Sequence, residues 1–256
     1  MALKTLGSKF FASILMVLLT PAVYSITAKQ AIDIIDKKFH YPQNAVKKGF
    51  KLRMYYTGAE DFIKAKIRKG ETSGKYYVSY NKKTNKVSFD VSSISPRLSG
   101  AVKAILQEHQ ESIFPPSLAK SVKGYKINLV KRKKKYVLIA FIPKSEFLRK
   151  KRLPPVVRVE YYLSRSFRVE RTFAYLHSGE KIDAKWTLQK TKSGKFLIKT
   201  NQVKLLLNSG VLKQTIQYKY KNVRGVYLPT KVTMASSFNG SKRKVETIKF
   251  FDHTVY

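Results

Sequence analysis

Apolar and polar residues alternate along most of this chain, and this period of two constrains the fold more than any other feature. From Phe50 to Tyr56, every second residue is large and apolar or aromatic. Such alternation is typical of a strand that buries one face. The same spacing of Ile63, Ala65 and Ile67 predicts another strand nearby.

The alternation continues to the end of the chain. It predicts a hairpin from 76–80 and 87–91, and further strands around 125–129, 136–142, 157–163, 167–175, 182–188, 196–198, 212–220, 226–234 and 245–251. Short turns such as Asn239-Gly240 join many of these segments, so we expect an antiparallel meander. A meander with a single apolar face must curl in order to bury it.

Two segments have helical rather than strand spacing. Thr27 is placed to cap one amphipathic helix, which Pro42 would end, and Ser95-Pro96 begins a second that stops before Pro115. Each helix has one apolar face, and the open side of a curved sheet is the natural place to bury it. The predicted fold class is therefore mainly β with two or three helices, an antiparallel, incomplete (half-open) β-barrel with a helical lid.

The first 25 residues have the order of a secretory signal: a basic start, an apolar run over 10–19 and a small residue, Ser25. Cleavage after Ser25 fits best, and cleavage after Ala28 is the alternative. A retained membrane anchor is the competing interpretation, but the run is shorter than the ~20 apolar residues that span a bilayer. We expect 1–25 to be a signal peptide and 26–256 to be a single, soluble domain.

Cysteine is absent and basic residues are in large excess. The absence of cysteine excludes disulfides, thiol catalysis and a lipid-modified cysteine, and it favours the bacterial periplasm or cell exterior. The net charge is +37, and removal of Lys4 and Lys9 with the signal leaves +35. Such a surface attracts anions, including phospholipid head groups, lipopolysaccharide phosphates, acidic polysaccharide and nucleic acid.

The sequence has no catalytic signature. Its four histidines lack metal-ligand spacing: His40, His109, His177 and His253. Glu108 and Glu111 flank His109, and we interpret this cluster as a solvated helix face. There is no nucleophile elbow and no phosphate-binding glycine loop. We therefore expect a protein that is not an enzyme and that uses no metal or cofactor.

One stretch resembles a known family. Residues 217–232 read QYKYKNVRGVYLPTKV, which is similar to the late hairpin of the periplasmic lipoprotein carriers, the Lol-type lipoprotein-sorting proteins. The order of signal, helix, strands, inserted helix and long meander is also similar. The resemblance implies a helix-covered half-barrel around an apolar cavity for acyl chains. The early hairpin of this chain lacks the Arg-Pro of the carriers, so no latch arginine is inferred.

The expected function is that of a periplasmic carrier, which holds the acyl chains of a lipid or lipid-modified protein for transfer toward the outer membrane. Partner proteins at the inner and outer membranes follow from the resemblance. Few polar contacts are needed, because each buried CH₂ contributes about 0.8 kcal/mol. The residues predicted to face the lipid cavity are Leu52, Met54, Phe89, Val91, Val102, Leu106, Tyr161 and Trp186.

Two basic clusters occupy predicted loop tips. They comprise Lys131, Arg132, Lys133, Lys134 and Lys135, and Arg149, Lys150, Lys151 and Arg152. One interpretation is solvation and protection of sheet edges. The other is contact with an anionic membrane surface, at roughly 1 kcal/mol per basic residue.

The alternative function is a secreted polyanion-binding protein, with nucleic acid or polysaccharide as ligand. Residues 76–80 contain three tyrosines next to basic residues, as a stacking platform would. Nucleic acid is disfavoured because the basic residues are spread along the whole chain and the periplasm contains little of it. A hydrolase built on scattered acidic residues is the least favoured class.

Overall fold

The computed structural model describes residues 26–132, 135–143 and 155–256. The predicted signal peptide at 1–25 lies outside this part of the chain. So do Lys133, Lys134 and the basic cluster at 149–152. The prediction of one domain from 26 to 256 stays a prediction.

Helices occupy the first half of the described chain. They are α1 (Ala28–Lys38), α2 (Pro42–Ala45), α3 (Thr57–Lys66), α4 (Pro96–Glu108), α5 (Gln110–Ile113) and α6 (Leu118–Ser121). Thr27 caps α1 through a capping box with Gln30, and proline occupies the first turn of α4. None of these helices combines the length and the apolar composition needed to cross a membrane.

The twelve described strands form one antiparallel sheet. They are β1 (Gly49–Tyr56), β2 (Tyr76–Asn81), β3 (Lys86–Asp90), β4 (Lys126–Arg132), β5 (Lys135–Phe141), β6 (Val156–Leu163), β7 (Val169–Leu176), β8 (Lys181–Lys190), β9 (Phe196–Leu207), β10 (Gly210–Val223), β11 (Val226–Phe238) and β12 (Lys244–Val255). The strand order is β3-β2-β1-β12-β11-β10-β9-β8-β7-β6-β5-β4, so β3 and β4 are the two edges and no ladder joins them in the described chain. This confirms the predicted mainly β fold with an unclosed antiparallel sheet.

The β10–β11 hairpin contains the stretch that resembles the lipoprotein carriers. Its two-residue turn is Arg224-Gly225, with φ of 52° and 83°, which is the positive-φ pair of a type I′ turn. Pro229 lies in β11, next to a register shift between Lys219 and Tyr220 in β10. Proline has no backbone N–H to donate to the ladder. It is therefore tolerated within a strand at an irregularity such as this one.

The face of the sheet against which the helices pack, called here the inner face, follows the predicted alternation. A row of directly opposed residues crosses five adjacent strands, and its members are Leu129, Leu138, Tyr161, Thr172 and Ala184. Four of the five are apolar or aromatic. Thr172, in β7, is the exception.

The predicted strand at Ile63, Ala65 and Ile67 is wrong, because residues 57–66 form helix α3. Ala59 and Ile63 are spaced four residues apart and are fully buried, at 0% and 1% exposure. Ile63 fits both the spacing of a helix and the alternation of a strand. The segment forms a helix because this buries one helical face against the sheet.

The helices cover the inner face unequally. Helix α3 packs on α4 and against β1 and β12, while α1 contacts α6 and β4. The half of the sheet beneath α3 and α4 is solidly filled, with Phe50, Leu52, Val78 and Val102 each 0% exposed. The other half, beneath α1 and α6, contains a large apolar cavity.

Candidate functional site

The candidate site is an apolar cavity between the inner face of strands β6 to β10 and the helices α1 and α6. Its volume is about 360 Å³. The sheet contributes, among others, Val159, Tyr161, Ala174 and Ile216, and α1 contributes Ile35 and Phe39. Exposed Glu111 and Ser121 mark the rim at which the cavity meets solvent.

The end of α1 is anchored on the sheet at the back of this cavity. The backbone N–H of His40 donates to the Phe196 carbonyl at 2.8 Å, and the backbone N–H of Tyr227 donates to His40 Nε2 at 3.0 Å. Phe39 is thereby held edge-on to the Trp186 ring, with 6.3 Å between the ring centroids. The anchor places two aromatic rings on the cavity wall.

Asp36 fastens α1 to α6 at the cavity's outer side. Its carboxylate accepts from the backbone N–H groups of Leu118 at 2.7 Å and Ala119 at 3.0 Å, and from the Tyr41 hydroxyl at 2.9 Å. Burial, and then the nearby Asp36 carboxylate, raise the pKa of Tyr41. The hydroxyl therefore stays protonated and remains a donor at neutral pH.

The cavity is electrically neutral apart from its rim. None of the described residues that line it is Lys, Arg or His, in a chain with 52 Lys and Arg. Burial raises the pKa of Tyr161 and of Tyr218, so both phenols stay uncharged. The described basic residues therefore do not line this cavity, and its interior suits uncharged groups.

Two of the eight residues predicted to face lipid, Tyr161 and Trp186, line this cavity. Five others lie in the packed core beneath the other helices, at exposures between 0% and 9%: Leu52, Phe89, Val91, Val102 and Leu106. Helix α3, which the sequence pattern did not predict, packs against α4 and β1, the elements that carry Val102, Leu106 and Leu52. A lipid contact at these positions stays a prediction.

Met54 borders a different cleft. That cleft, of about 390 Å³, lies among Arg53, Glu60, Lys75 and Lys249. Its walls are charged, so it offers no dry surface for a hydrocarbon chain. The larger volume therefore does not make it the better lipid site.

Sequence analysis missed most of the cavity lining. The missed residues include Ile35, Phe39, Val159, Ala174, Asn201 and Ile216. Val159 and Ile216 lie on the predicted inner phase of their strands, whereas Ala174 lies on the opposite phase from the predicted Phe173 and Tyr175, and Asn201 lies beyond the predicted strand at 196–198. The local sequence does not indicate which inward-facing residues pack against other side chains and which line a cavity.

Of the basic residues predicted to contact an anionic surface, Lys131, Arg132 and Lys135 lie in the described chain and are exposed. Lys135 also pairs with Glu170 at 2.9 Å. A further basic feature, missed in the sequence, is a row of directly opposed lysines on the outer face of three adjacent strands: Lys219, Lys231 and Lys249. No ion pair with an acidic residue of the described chain is found for these three.

The surroundings of His109 differ from the solvated helix face that the sequence predicts. Glu108 and Glu111 are exposed, as a solvated face requires, but the His109 ring is half-buried against Tyr56. Burial lowers the pKa of His109. Within the described residues, no group of three or more His, Asp or Glu side chains is arranged to hold a metal ion.

Comparison with known proteins gives two similar solved structures. No protein-family model and no curated protein matches the chain. A LolA superfamily protein from Nitrosomonas europaea is 15% identical, with a TM-score of 0.33 over 91% of this chain and 94% of that one. An outer membrane lipoprotein-sorting protein domain from Vibrio parahaemolyticus is 10% identical, with a TM-score of 0.29 over 89% and 93%. Both bear the name of the family that the late hairpin and the element order of this chain resemble.

Proposed function

We propose that this chain is an exported lipid-binding carrier. In this proposal it holds an acyl chain of a lipid or lipid-modified protein in the cavity and moves it through the periplasm toward the outer membrane. The observation that carries the proposal is an apolar cavity of about 360 Å³ on the inner face of the sheet, which α1 and α6 cover without filling.

The size and the walls of the cavity suit a hydrocarbon chain. Its volume is more than twice the ~150 Å³ of an engineered apolar cavity that stays dry and binds benzene. It also falls within the range of about 300–1,000 Å³ that is usual for small-molecule sites. Each methylene that enters contributes about 0.8 kcal/mol, so a chain binds here without a charged contact.

The distribution of charge supports the same role. A carrier must approach membranes while it keeps its cargo out of water. Here the cavity wall has no cationic residue, whereas the outer surface presents exposed cations such as Lys131 and Arg132 and the row of lysines 219, 231 and 249. The proposal includes attraction of these residues to anionic lipid. It also includes contact with partner proteins at the inner and outer membranes.

The test uses Trp186, the single tryptophan of the chain, which lies on the cavity wall. We expect its fluorescence to change in a saturable manner when methyl dodecanoate is added. Ala174→Phe places a ring in the cavity and should weaken this binding at least about tenfold, because the ligand loses the space for several methylenes. Ala104→Phe, on the exposed side of α4, is the matched control and should bind normally.

Lipid extraction of the purified protein followed by mass spectrometry is the independent measurement. We expect a co-purified acylated molecule in wild type and much less in Ala174→Phe. An unchanged Trp186 signal with every acyl probe, together with no extracted lipid, would overturn the proposal.

Binding of a soluble polyanion is the second candidate function. The observation in its favour is the row of lysines 219, 231 and 249, because directly opposed like charges destabilise a sheet unless something neutralises them. Heparin binding at increasing salt separates the two functions. A polyanion-binding protein would show tight binding with a steep salt slope, whereas the carrier should bind acyl probes with little dependence on salt.

A further inference from the structure

The outer face of β1 and β12, opposite the helices, combines cations with exposed aromatic rings. Tyr55 in β1 is directly opposite Lys249 in β12, and Arg53 is opposite Phe251 in the same ladder. Tyr55 and Phe251 are 37% and 39% exposed. Single exposed rings are ordinary, but these two line one cleft, and such a patch favours a surface that a partner covers.

The row of lysines extends this surface across β11 and β10. Lys249 is directly opposite Lys231, which is opposite Lys219, so the three backbone positions span about 10 Å across neighbouring strands. Lys219 and Lys249 are exposed, and Lys231 is half-buried. Like charges at this spacing repel one another, and an anionic partner that covers them would relieve the repulsion.

The row ends in the charged cleft of about 390 Å³ described above. The cations that line it are Arg53, Lys75 and Lys249, against one acidic residue, Glu60. Arg53 is already paired with Asp252 at 2.9 Å. An anion in the cleft would therefore be held chiefly by Lys75 and Lys249, and the cleft is large enough for a lipid phosphate.

The aromatic rings favour a bilayer over a soluble polyanion as the partner. The Arg53 guanidinium lies 5.1 Å from the centroid of the Phe251 ring, and the Lys51 ammonium lies 4.6 Å from that of Tyr77. These cations cover the ring faces on which a nucleotide base would stack. An acidic polysaccharide would use the lysines and leave the rings in water. A bilayer uses both, because phosphates meet the lysines and apolar rings enter the head-group region.

We propose that Tyr55, Lys219, Lys231, Lys249 and Phe251 form a docking face for an anionic phospholipid bilayer. The three lysines contact lipid phosphates, and the two rings enter the head-group region. Because the docking face is opposite the helices, contact with the bilayer leaves α1 and α6 free. This inference rests on the proposed function, in which a carrier visits membranes, but its test does not involve the cavity.

The experiment measures co-sedimentation of the chain with vesicles that contain equal amounts of phosphatidylglycerol and phosphatidylethanolamine. Vesicles of phosphatidylcholine alone are the uncharged comparison, and we expect much weaker binding to them. Lys249→Gln should weaken binding to the anionic vesicles about fivefold, as the loss of one basic contact would give. Lys103→Gln, at an exposed position on α4, lowers the net charge equally and should weaken binding less than about twofold, because its charge is screened from the bilayer.

A second pair of variants tests the rings. Phe251→Ser should weaken vesicle binding about fivefold, because no ring then leaves water at this position. Phe238→Ser is the matched control: Phe238 is 40% exposed but shares the inner phase of β11 with buried Met234, so binding should be normal. In the double variant Trp186→Phe/Phe251→Trp, the single tryptophan lies on the docking face, and brominated phospholipid should quench its fluorescence.

The outcomes separate this inference from the function on which it rests. Equal losses in Lys249→Gln and Lys103→Gln would overturn the docking face, because net charge alone would then drive binding. Normal binding by Phe251→Ser together with no quenching would also overturn it, and the lysines would then serve a soluble polyanion. An absence of binding to the anionic vesicles would overturn it as well. The carrier proposal is tested without vesicles, by acyl probes and Trp186 fluorescence, so either proposal can fail while the other survives.

Discussion

The hydroxyl of Tyr56 lies 2.7 Å from Nε2 of His109, and this contact joins the end of α4 to the sheet. The same hydroxyl donates to Glu246 in β12 at 3.0 Å. A phenol has one proton, so His109 Nε2 must be the donor to Tyr56. Lys244 completes the chain of contacts through an ion pair with Glu246 at 2.8 Å.

Tyr56→Phe should therefore destabilise the fold by about 1–2 kcal/mol, because it leaves His109 and Glu246 each without one partner. The midpoint of urea unfolding measures this loss. Tyr55→Phe is the matched control, since Tyr55 is 37% exposed and belongs to the same strand. Equal stability of the two variants would contradict the role of the contact.

Stability should fall as the pH is lowered from about 7 to about 5.5, and His40 should account for part of the loss. Burial, followed by the charge of Lys195, lowers the pKa of His40 below its ordinary value of 6.5. The unfolded chain then binds a proton that the folded chain does not, so acid favours unfolding. Protonation of Nε2 also breaks its bond from the Tyr227 N–H.

His40→Gln keeps an acceptor for Tyr227 but does not titrate, so its unfolding midpoint should change less over this pH interval. Burial also lowers the pKa of His109 and His253, so some dependence on pH remains. An unchanged pH slope in His40→Gln would refute the assignment.

Asp36→Ala should loosen the covering of the cavity. The substitution removes three hydrogen bonds to the carboxylate, from Tyr41, Leu118 and Ala119. Hydrogen exchange should show faster exchange of the Leu118 and Ala119 amides, with a loss of about 2–3 kcal/mol in their local stability. Asp33→Ala, an exposed position on the same helix, should leave these amides unaffected.

Lys231→Glu should stabilise the protein by about 0.5 kcal/mol at low salt, because it places a negative charge between Lys219 and Lys249. The gain should shrink in high salt as the pairs are screened. Lys221→Glu changes the same charge opposite Leu228, outside the lysine row, and is the control for net charge. A gain in both variants would mean that total charge matters and that the row does not.

Much of the sheet was predictable because apolar residues alternate along most of its strands and most of their connections are short. Leu52 and Met54, for example, point inward as their phase predicts, and Tyr161 and Trp186 reach the cavity. Thr27 and Pro96 likewise marked the starts of α1 and α4 through local hydrogen bonding and backbone geometry, which depend on few neighbours.

The division between core and cavity was not predictable from the sequence. It depends on α3, which is hard to predict because Ile63 fits a strand and a helix equally well. It also depends on which helices pack against each half of the inner face. Asn201 is polar on an inner position, a local inconsistency that in principle marks a site.

The unequal filling of the two halves has a consequence for how the proposed carrier would exchange its cargo. Because α3 and α4 cover fully buried side chains such as Leu106 and Ile63, that half forms a rigid frame. The α1 and α6 side also buries apolar residues such as Ile35, but it borders the cavity and is joined to its neighbours by hydrogen bonds at Asp36 and His40, so we expect it to undergo subglobal opening at a lower free energy than global unfolding. If the proposed carrier function holds, we expect these few contacts to set the residence time of a bound ligand, which substitutions there would alter without a change in the rest of the fold.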